Sequence, residues 1–589
     1  MQKFWKTNEY FYLIIILLIA AFFRFYGINW DQNQHLHPDE RFLTMVTQSL
    51  KWPSSLPEYF NTSISPFNPH NSNFPFYVYG TFPIFFVKAL SEISGFTDYN
   101  TITILGRFIS GCFDILVVYL VFLIGKKVFS TPIGLLAAFF YSISILPIQL
   151  SHFFAVDTFL NFFMVLTTYL LLKSIYTPRK IWFTFMGISF GLAFASKISA
   201  FLLAPPILLV FLYLIYKFKH HAFFWGLSFL TISFLIFRIF QPYAFLGPSF
   251  FDITPNPKFL ANLQEIRTLF RPGNFYPPAI QWTNTTPLLH PLKDIILWGL
   301  GLPLGILSIS GFILVILNLP KNFKHQFKTN LLSKISILIL LTALLTTFLY
   351  QGTQFLKLMR YFIPIYPYLA IFSAYFLFQN FPKSLAKLYN PMFAIITILI
   401  LSWPLSFISI YSKPHSRVLA SNWIYENIPV GSKIAFEHWD DALPLNLKNY
   451  NSSNYEFIEL PLFEPDSVEK WNNINTKLSQ VDYIILSSNR LYASISRVPE
   501  KYPITSKYYR DLFNEDLNFK FVTQFSSRPN LPIPFINTCI TPTFADFGKI
   551  AERFYYCSDQ GLTIIDDFAD ESFTVYDHPK VLIFKNNVK

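Results

Sequence analysis

The sequence predicts a polytopic α-helical membrane protein that carries an α/β domain at its C-terminal end. Of its 589 residues, 52% are hydrophobic and 14% are charged, whereas soluble domains carry about 25% charged residues. Apolar runs long enough to cross a bilayer recur through residue 411, and the sequence from residue 412 onward is more polar. These observations exclude an ordinary soluble enzyme, a disordered chain and a disulfide-rich secreted domain.

Eleven apolar runs have the length of a membrane span. They cover residues 10–28, 101–124, 132–150, 155–175, 181–199, 200–216, 222–241, 291–318, 332–350, 361–379 and 391–411. Segment 74–93 is also apolar, but counting it as a span would break the alternation of basic loops. We therefore expect it to lie in the membrane interface or to re-enter the membrane within the first external loop.

The charge pattern predicts the orientation. Residues 1–411 have a net charge of +16 and residues 412–589 a net charge of −4. Basic residues cluster in alternate short loops, such as those with Lys3 and Lys126, and these loops are predicted to be cytoplasmic. The N-terminus is then cytoplasmic, and the large external pieces are 29–100, 242–290 and 412–589. Short basic clusters without a continuous stripe argue against a nucleic-acid partner.

Two domains are expected, a membrane domain over 1–411 and an extracytoplasmic α/β domain over 412–589. In the second domain, RVLASNWIYENI and SVEKWNNINTKL are predicted helices, and SKIAFE and VDYIILSS are predicted strands. A pair of strands is predicted around Asp577-His578-Pro579. Cys539 and Cys557 either form a disulfide or stay as two free thiols, and the sequence favours neither alternative.

Acidic residues are scarce in the first 411 residues, which contain twelve. The motif HLHPDERF places Asp39 and Glu40 directly after the first span, with His37 beside them. Pro38 followed by two acids is also an ordinary helix start. A solvated helix end alone would not need the neighbouring histidines, so we interpret Asp39 and Glu40 as candidate catalytic carboxylates.

Three further groups lie at the same predicted membrane face. SHFFAVDTFLNFF contains His152 and Asp157, ASKIS contains Lys197, and QFLKLMRYFIPIYP contains Lys357, Arg360 and Tyr361. Helix capping and snorkelling cations are the alternative explanations. Together, however, carboxylates, histidines and cations at one face suit an anionic lipid-phosphate substrate and a proton transfer. Arg107 and Asp114, seven residues apart in one span, are expected to form an internal ion pair.

The motifs HPDERF, SHFFAVDT and KLMRYFIPIYP and the stretch QWTNTTPLLHPLKDIILWGLGLPLG resemble the GT-C glycosyltransferases. Within that superfamily, residues 1–411 are most similar to the protein O-mannosyltransferases and their bacterial relatives, which include the aminoarabinose transferases of lipid A. The eleven predicted spans agree with the mannosyltransferase branch. The C-terminal domain resembles external domains of uncharacterised bacterial members and not the β-trefoil insertion of the eukaryotic enzymes.

The resemblance implies the reaction and the partners. A mannose-like hexose would pass, with inversion, from a polyprenyl-phosphate carrier to a hydroxyl of a protein, lipid or glycan at the outer face of a bacterial plasma membrane. Asp39 would be the base, and Glu40 would orient the site, bind the sugar or help to hold a metal.

The resemblance also implies roles for the remaining candidates. Lys197, Lys357 and Arg360 would neutralise the lipid phosphate. Asp157 and His152 would position the acceptor, and His37 and Tyr361 complete the expected substrate-binding set. A divalent metal ion as cofactor is left open, with Asp39, Glu40 and Asp157 as its expected ligands if one binds.

Three other functions are considered. A polymerase or ligase of lipid-linked glycans would use similar donors, and the HPDE group after the first span argues against it. A transporter or flippase usually places ionisable residues near the middle of the membrane and often shows internal repeats. A sensor would not need eleven spans to anchor its domain. Glu437–Asp441 and Asp577-His578 in the C-terminal domain are given no catalytic role.

Overall fold

A computed structural model describes residues 8–269, 271–272, 277–325, 331–380, 386–542, 547–558 and 560–588. The first part of the chain is a bundle of helices, and the last part forms two small β-sheets with helices around them. Buried apolar side chains from both parts form one large continuous cluster, because Ile565, Phe568 and Phe573 pack against membrane-domain residues such as Trp298 and Phe407. The C-terminal domain is therefore packed onto the membrane domain.

The helices before residue 200 are α1 (Glu9–Phe25), α2 (Pro38–Ser49), α3 (Leu56–Phe60), α4 (Phe82–Ser94), α5 (Tyr99–Val128), α6 (Thr131–Ser142), α7 (Ile145–Ser151), α8 (Val156–Tyr176) and α9 (Lys180–Ser196). The next are α10 (Ala204–Phe218), α11 (His220–Phe240), α12 (Pro257–Leu269), α13 (Pro277–Ile280), α14 (Leu289–Asp294), α15 (Leu302–His325), α16 (Leu331–Thr353), α17 (Tyr366–Asn380) and α18 (Ala386–Ile408). Short 3₁₀ segments precede α10 and α17, at Ile198–Leu203 and Met359–Ile365.

Within the described residues, eight helical stretches are long and apolar enough to cross a membrane. They are Tyr99–Val128, Val156–Tyr176, Ile198–Phe218, His220–Phe240, Leu302–Leu319, Leu331–Thr353, Met359–Gln379 and Ala394–Asn427. The pair α6 and α7, bent by 57°, makes a ninth if it is one span. The other two predicted spans coincide with α1 and α9, which have 17 residues each. A polytopic helical membrane domain is thus confirmed.

The predicted span 291–318 has the wrong start. The chain forms α14 and a π-helical turn at Ile295–Gly299 before α15 begins at Leu302. Gly301 separates the two parts with φ +79°, a value that suits glycine. The separation keeps Asp294 outside the span. Segment 74–93 contains no candidate span: it is irregular up to Thr81 and then forms the 13-residue helix α4.

The C-terminal domain contains the predicted α/β alternation. Its helices are α19 (Ser416–Asn427), α20 (Val468–Gln480), α21 (Arg490–Ile495), α22 (Pro503–Asn514) and α23 (Glu571–Thr574). Its strands are β1 (Lys433–Glu437), β2 (Glu456–Leu460), β3 (Tyr483–Leu486), β4 (Phe519–Phe525), β5 (Asn530–Leu531), β6 (Asn537–Ile540), β7 (Gly561–Ile564) and β8 (Val581–Asn586). One sheet has the order β2-β1-β3-β8-β4, with β1 parallel to β2 and β3 and with β8 antiparallel to its neighbours. The other has the order β5-β7-β6.

Most of the predicted elements of this domain are confirmed, and one is wrong. RVLASNWIYENI and SVEKWNNINTKL form α19 and α20, and SKIAFE and VDYIILSS contain β1 and β3. The predicted strand before Asp577 is instead the short helix α23 and a turn, because this segment packs against the membrane domain. Cys539 and Cys557 form a disulfide.

The expected ion pair between Arg107 and Asp114 is wrong. Asp114 pairs with Arg24 of α1 at 2.8 Å. Arg107 instead pairs with Asp31 in the loop after α1 at 2.8 Å and with Glu40 in the first turn of α2 at 2.7 Å. All five side chains are almost fully buried, and each ion pair joins two different elements of the chain instead of two positions on one helix.

Candidate functional site

Two ion pairs lie close together at one end of the helical bundle. Asp39, in the first turn of α2, accepts a hydrogen bond from the guanidinium of Arg360 at the start of the span Met359–Gln379. Lys197, directly after α9, contacts the carboxylate of Asp157 at the start of α8 at 2.7 Å. The structure therefore brings together four of the predicted site residues, which come from four different parts of the chain.

Tyr361 lies close to the cations of both ion pairs. The Nζ atom of Lys197 is 4.4 Å from the centre of its ring, and the guanidinium carbon of Arg360 is 5.7 Å from it. Side-chain exposure falls from 25% for Asp39 and 16% for Arg360 to 3% for Asp157. Asp39 is therefore the accessible carboxylate of the group, and Tyr361 is positioned to share one ligand with both cations.

Arg360 has an unused donor. Its Nε–H is buried and has no hydrogen-bond partner among the described residues, although its NH1 group pairs with Asp39. A buried guanidinium donor without a partner is costly. An anion with two neighbouring oxygens, such as a phosphate, could accept from it in the fork geometry that arginine favours.

The helix start positions Asp39. His37 is the N-cap of α2, and its Nδ1 accepts the backbone N–H of Glu40 at 3.2 Å. Glu40 is fully buried, and its carboxylate accepts hydrogen bonds from Arg107 and from the backbone N–H of Phe154 at 2.8 Å. Glu40 thus anchors the helix while the neighbouring Asp39 faces the site.

Segment 77–81 forms another wall of the site. The hydroxyl of Tyr79 lies near the carboxylate of Asp39 and helps to lower the pKa of that group. A Cβ atom on Gly80 would lie 2.0 Å from the carbonyl oxygen of Ala195, so only glycine lets this segment approach the end of α9. The Gly80 N–H donates to the carbonyl of Ser196 at 3.1 Å. The segment is therefore held directly beside Lys197.

An apolar cavity of about 330 Å³ adjoins Tyr79. Its lining comes from segment 78–80, α9, α11 and α12, and includes Phe190, Phe194, Phe237 and Leu263. Gln241 and Ser233 supply most of its few polar groups. Because Tyr79 both lines the cavity and contacts Asp39, the cavity opens next to the charged site.

The charges of the site set the protonation of two groups. Burial raises the pKa of Asp39, but the interactions with its neighbours, led by the Arg360 guanidinium, together outweigh this effect and lower it to about 2. Burial lowers the pKa of His37 to about 4. Near neutral pH, Asp39 is a carboxylate and His37 is a neutral imidazole, as its role as hydrogen-bond acceptor requires.

Two predicted residues lie elsewhere. His152 is buried, with its ring nitrogens 2.8 Å and 2.9 Å from the carbonyl oxygens of Ile148 and Tyr26, and it stacks on Tyr411. Lys357 donates to the Phe355 carbonyl at 3.1 Å and interacts with the charge of Asp570. The side chains of His152 and Lys357 therefore make their contacts outside the group around Asp39.

The three carboxylates expected as metal ligands do not suit a cation. Asp39, Glu40 and Asp157 each pair with an arginine or lysine, which already compensates their charges. In the described part of the chain, the one group of three or more side chains with metal-ligand spacing consists of His290, Asp294 and Asp570. The donor set that fits a metal therefore lies apart from the predicted one.

The C-terminal domain supplies a residue that the sequence analysis missed. The ring of Tyr576 is 4.1 Å from that of His37, and its hydroxyl interacts with the charges of Asp39 and Arg360. The carboxylate of the next residue, Asp577, accepts hydrogen bonds from the hydroxyl of Tyr411 at 2.8 Å and from the side-chain amide of Gln149 at 3.1 Å. The sequence around Asp577-His578-Pro579 predicts strands and no site residue, because the position of Tyr576 over the site depends on how the two domains pack. Tyr79 was likewise visible only as part of an apolar segment.

Comparisons with known proteins agree with this architecture. Residues 83–244 match the family described as dolichyl-phosphate-mannose-protein mannosyltransferase. No curated protein matches the chain significantly.

Solved structures of other proteins are similar to this chain in overall fold. The apo oligosaccharyltransferase of Archaeoglobus fulgidus is 15% identical, with a TM-score of 0.53 over 86% of this chain and 73% of that one. The same enzyme, AglB, in complex with an inhibitory peptide and a dolichol-phosphate gives 15% identity and a TM-score of 0.50 over the same shares. ArnT from Cupriavidus metallidurans bound to undecaprenyl phosphate is 12% identical, with a TM-score of 0.43 over 85% of this chain and 95% of that one. The chain therefore has the predicted GT-C fold, and residues 83–244 match a mannosyltransferase family.

Proposed function

We propose that this integral membrane protein is a glycosyltransferase that moves a sugar from a polyprenyl-phosphate carrier to a hydroxyl acceptor. The observation that carries the proposal is the unpartnered Nε–H of Arg360 beside the accessible carboxylate of Asp39. The guanidinium of Arg360 is suited to bind a phosphate, and the carboxylate of Asp39 is suited to accept a proton. Transfer of a sugar from a phosphate to a hydroxyl requires both a phosphate-binding group and a proton acceptor. The family match at residues 83–244 supports a hexose of the mannose type.

The cations would bind the carrier phosphate. Arg360 and Lys197 both lie close to the ring of Tyr361, so one phosphate near this ring could contact both. Arginine offers paired donors in a plane, and lysine adds a compact charge. Asp157 would keep Lys197 in place before the donor binds, since the two are 2.7 Å apart.

The apolar cavity beside Tyr79 would hold the first part of the lipid. Its volume of about 330 Å³ and its phenylalanine-rich lining suit isoprene units better than a polar sugar. AglB, which shares the fold, has been solved with a dolichol-phosphate. The cavity lies on the Tyr79 side of Asp39, so the phosphate would face Arg360 while the chain extends between α9 and α11.

In the proposed reaction, the acceptor oxygen bonds to C1 of the sugar while Asp39 takes the hydroxyl proton. The bond between C1 and the phosphate oxygen breaks, and its electron pair leaves with the polyprenyl phosphate. Arg360 and Lys197 compensate the charge that develops on this leaving group. A single displacement of this kind inverts the configuration at C1.

Donor binding would also activate the base. Arg360 pairs with Asp39 and leads the interactions that hold its pKa at about 2, which makes Asp39 a weak base. A phosphate that competes for the guanidinium would weaken this pairing and raise the pKa of Asp39. Proton abstraction would then be favoured only when the donor is in place.

The other residues would support this centre. We assign Glu40 a positioning role, since its carboxylate is occupied by Arg107 and Phe154. His37 would hold the start of α2, and Tyr576 would close the site from the C-terminal domain. The disulfide between Cys539 and Cys557 supports an extracytoplasmic location for that domain, with the N-terminus in the cytoplasm.

The test is a transfer assay in membranes with a panel of radiolabelled polyprenyl-phosphate hexoses. Wild-type protein should consume at least one donor, and Asp39→Asn should lose transfer by roughly 10²-fold or more. Glu92→Gln is the matched control, because Glu92 is an exposed carboxylate paired with Lys88 on α4. Near-wild-type transfer by Asp39→Asn would remove Asp39 from the role of base. Turnover only of oligosaccharide donors would favour a glycan polymerase or ligase, and transport without turnover would favour a flippase.

A further inference from the structure

A second charged group lies where the membrane domain meets the C-terminal domain. His290 and Asp294 are one turn apart on α14, and Asp570 lies just before α23. The His290 Nε2 atom is 3.0 Å from Asp570 Oδ1 and 3.2 Å from Asp294 Oδ2. One ligand atom from each of the three residues lies within 4.8 Å of the other two. Two buried carboxylates thus share one imidazole.

Two buried oxygens at this group lack partners. The Oδ2 atom of Asp294 is buried and has no hydrogen bond of good geometry among the described residues, although His290 and the carboxyl group of Asp570 are near Asp294. The hydroxyl of Tyr366, which interacts with the charge of Asp294, is also buried without a hydrogen-bond partner in that part of the chain. Orphaned buried oxygens next to each other indicate that a further group belongs between them.

We propose that His290, Asp294 and Asp570 bind one divalent transition-metal ion of the zinc or manganese class, which fastens the C-terminal domain to the membrane domain. One imidazole nitrogen and two carboxylate oxygens are ligands that such ions accept. Two carboxylates and a neutral imidazole together compensate the charge of the ion. A fourth position would be left for water near the Tyr366 hydroxyl.

The surroundings of Asp570 resemble the outer shell of a metal site. The indole N–H of Trp282 donates to Asp570 Oδ2 at 2.8 Å, which orients the carboxylate and leaves Oδ1 for the ion. Lys293 and Lys357 act on the charge of Asp570 only from a distance, since neither forms an ion pair with it among the described residues, so Oδ1 is not occupied by a lysine. The alternative occupant is a proton: a charged His290 would then bridge the two carboxylates without a metal.

The ion would also influence the site around Asp39. Asp570 is followed by α23 and then by Tyr576, whose ring packs on His37. An ion that holds Asp570 against α14 would therefore keep Tyr576 over the site. This inference does not depend on the proposed transferase reaction, because metal binding can be measured without a substrate.

The test uses the purified full-length protein in detergent. The protein is equilibrated with Zn²⁺ or Mn²⁺, freed of excess metal, and analysed by inductively coupled plasma mass spectrometry. Wild type should retain about one ion per chain, and His290→Gln and Asp570→Asn should lose it. Asp441→Asn is the matched control, because Asp441 pairs with Arg41 of the membrane domain at 3.0 Å and lies outside the group. Asp39→Asn and Asp157→Asn should also keep the ion.

A second measurement guards against variants that fold poorly. A chelator should lower the unfolding temperature of wild type and of Asp441→Asn, but not that of His290→Gln. Wild type without stoichiometric metal would overturn the proposal in favour of the protonated bridge. Full metal retention in both His290→Gln and Asp570→Asn would overturn it as well.

Discussion

Asp39 and Arg360 form an ion pair across 321 residues of sequence, joining the start of α2 to the start of the span Met359–Gln379. The pair is partly accessible, whereas the pair of Glu40 and Arg107 beside it is fully buried. Adjacent carboxylates therefore have different environments, one facing the site and the other inside the bundle. This difference separates a chemical role from a structural one and leads to the following predictions.

Arg360→Gln should change the pH profile of transfer. In wild type, Arg360 lowers the pKa of Asp39 to about 2 against the effect of burial. Without the guanidinium, the pKa of Asp39 rises, so the acid limb of kcat/KM should move to higher pH. The rate at neutral pH should fall by roughly 10²-fold, because a charge-stabilising donor to the phosphate is lost. Arg360→Lys keeps a positive charge, so its acid limb should shift less and its rate should fall less than those of Arg360→Gln. An acid limb at the wild-type position in Arg360→Gln would contradict the coupling.

Glu40→Gln should affect stability more than Asp39→Asn does. Glutamine replaces the carboxylate oxygen that accepts from the Arg107 NH2 group by an N–H donor, and a buried donor left without an acceptor costs about 1–3 kcal/mol. Asp39 is more accessible, so its substitution should change the unfolding temperature little. Thermal unfolding in detergent measures both variants. Equal destabilisation by the two substitutions would contradict the division of roles.

Gly80→Ala should displace the wall of the site. The added Cβ would meet the Ala195 carbonyl oxygen at 2.0 Å, and overpacking of this kind costs about 1–3 kcal/mol. Tyr79 would move with the segment, so transfer should fall as well. Gly226→Ala is the control, since its nearest neighbour would be Phe211 at 3.5 Å, an ordinary contact. Transfer activity and unfolding temperature are measured for both variants. If Gly80→Ala changed neither quantity, the segment would be able to relax around the added methyl group, and the prediction would be wrong.

His578 should make stability depend on pH. Burial lowers its pKa, but the carboxylates of Asp577 and Asp566 outweigh this and raise it from 6.5 to about 10. The folded state binds this proton more tightly than the unfolded state, so the stabilisation is complete below pH 6.5 and disappears as the pH rises through about 10. The unfolding temperature of wild type should therefore fall towards that of His578→Gln over this range. An equal difference in unfolding temperature between wild type and His578→Gln at both ends of this range would contradict the prediction.

Much of the architecture follows from local patterns. The apolar runs predict the helices of the membrane domain, because a span must satisfy its backbone hydrogen bonds internally and keep apolar side chains towards lipid. Alternating strand and helix patterns likewise predict β1, β3, α19 and α20, which the structure contains. The exception around Asp577 shows the limit: FTVYD has the composition of a strand, but contacts with Tyr411 and Gln149 fold it into a helix and a turn.

The scarcity of acidic residues was enough to single out Asp39, Glu40 and Asp157, since few carboxylates occur among apolar helices without a partner or a function. Which cation each one meets depends on helix packing. The spacing of Arg107 and Asp114 on one helix predicts an ion pair between them. In the structure, Arg107 instead contacts the carboxylates of Asp31, 76 residues away, and Glu40. The division between Asp39 and Glu40, the arrival of Tyr576 and the group around His290 all arise from contacts between distant segments. Such contacts follow from how the surfaces of the folded elements fit together, and no local periodicity encodes them.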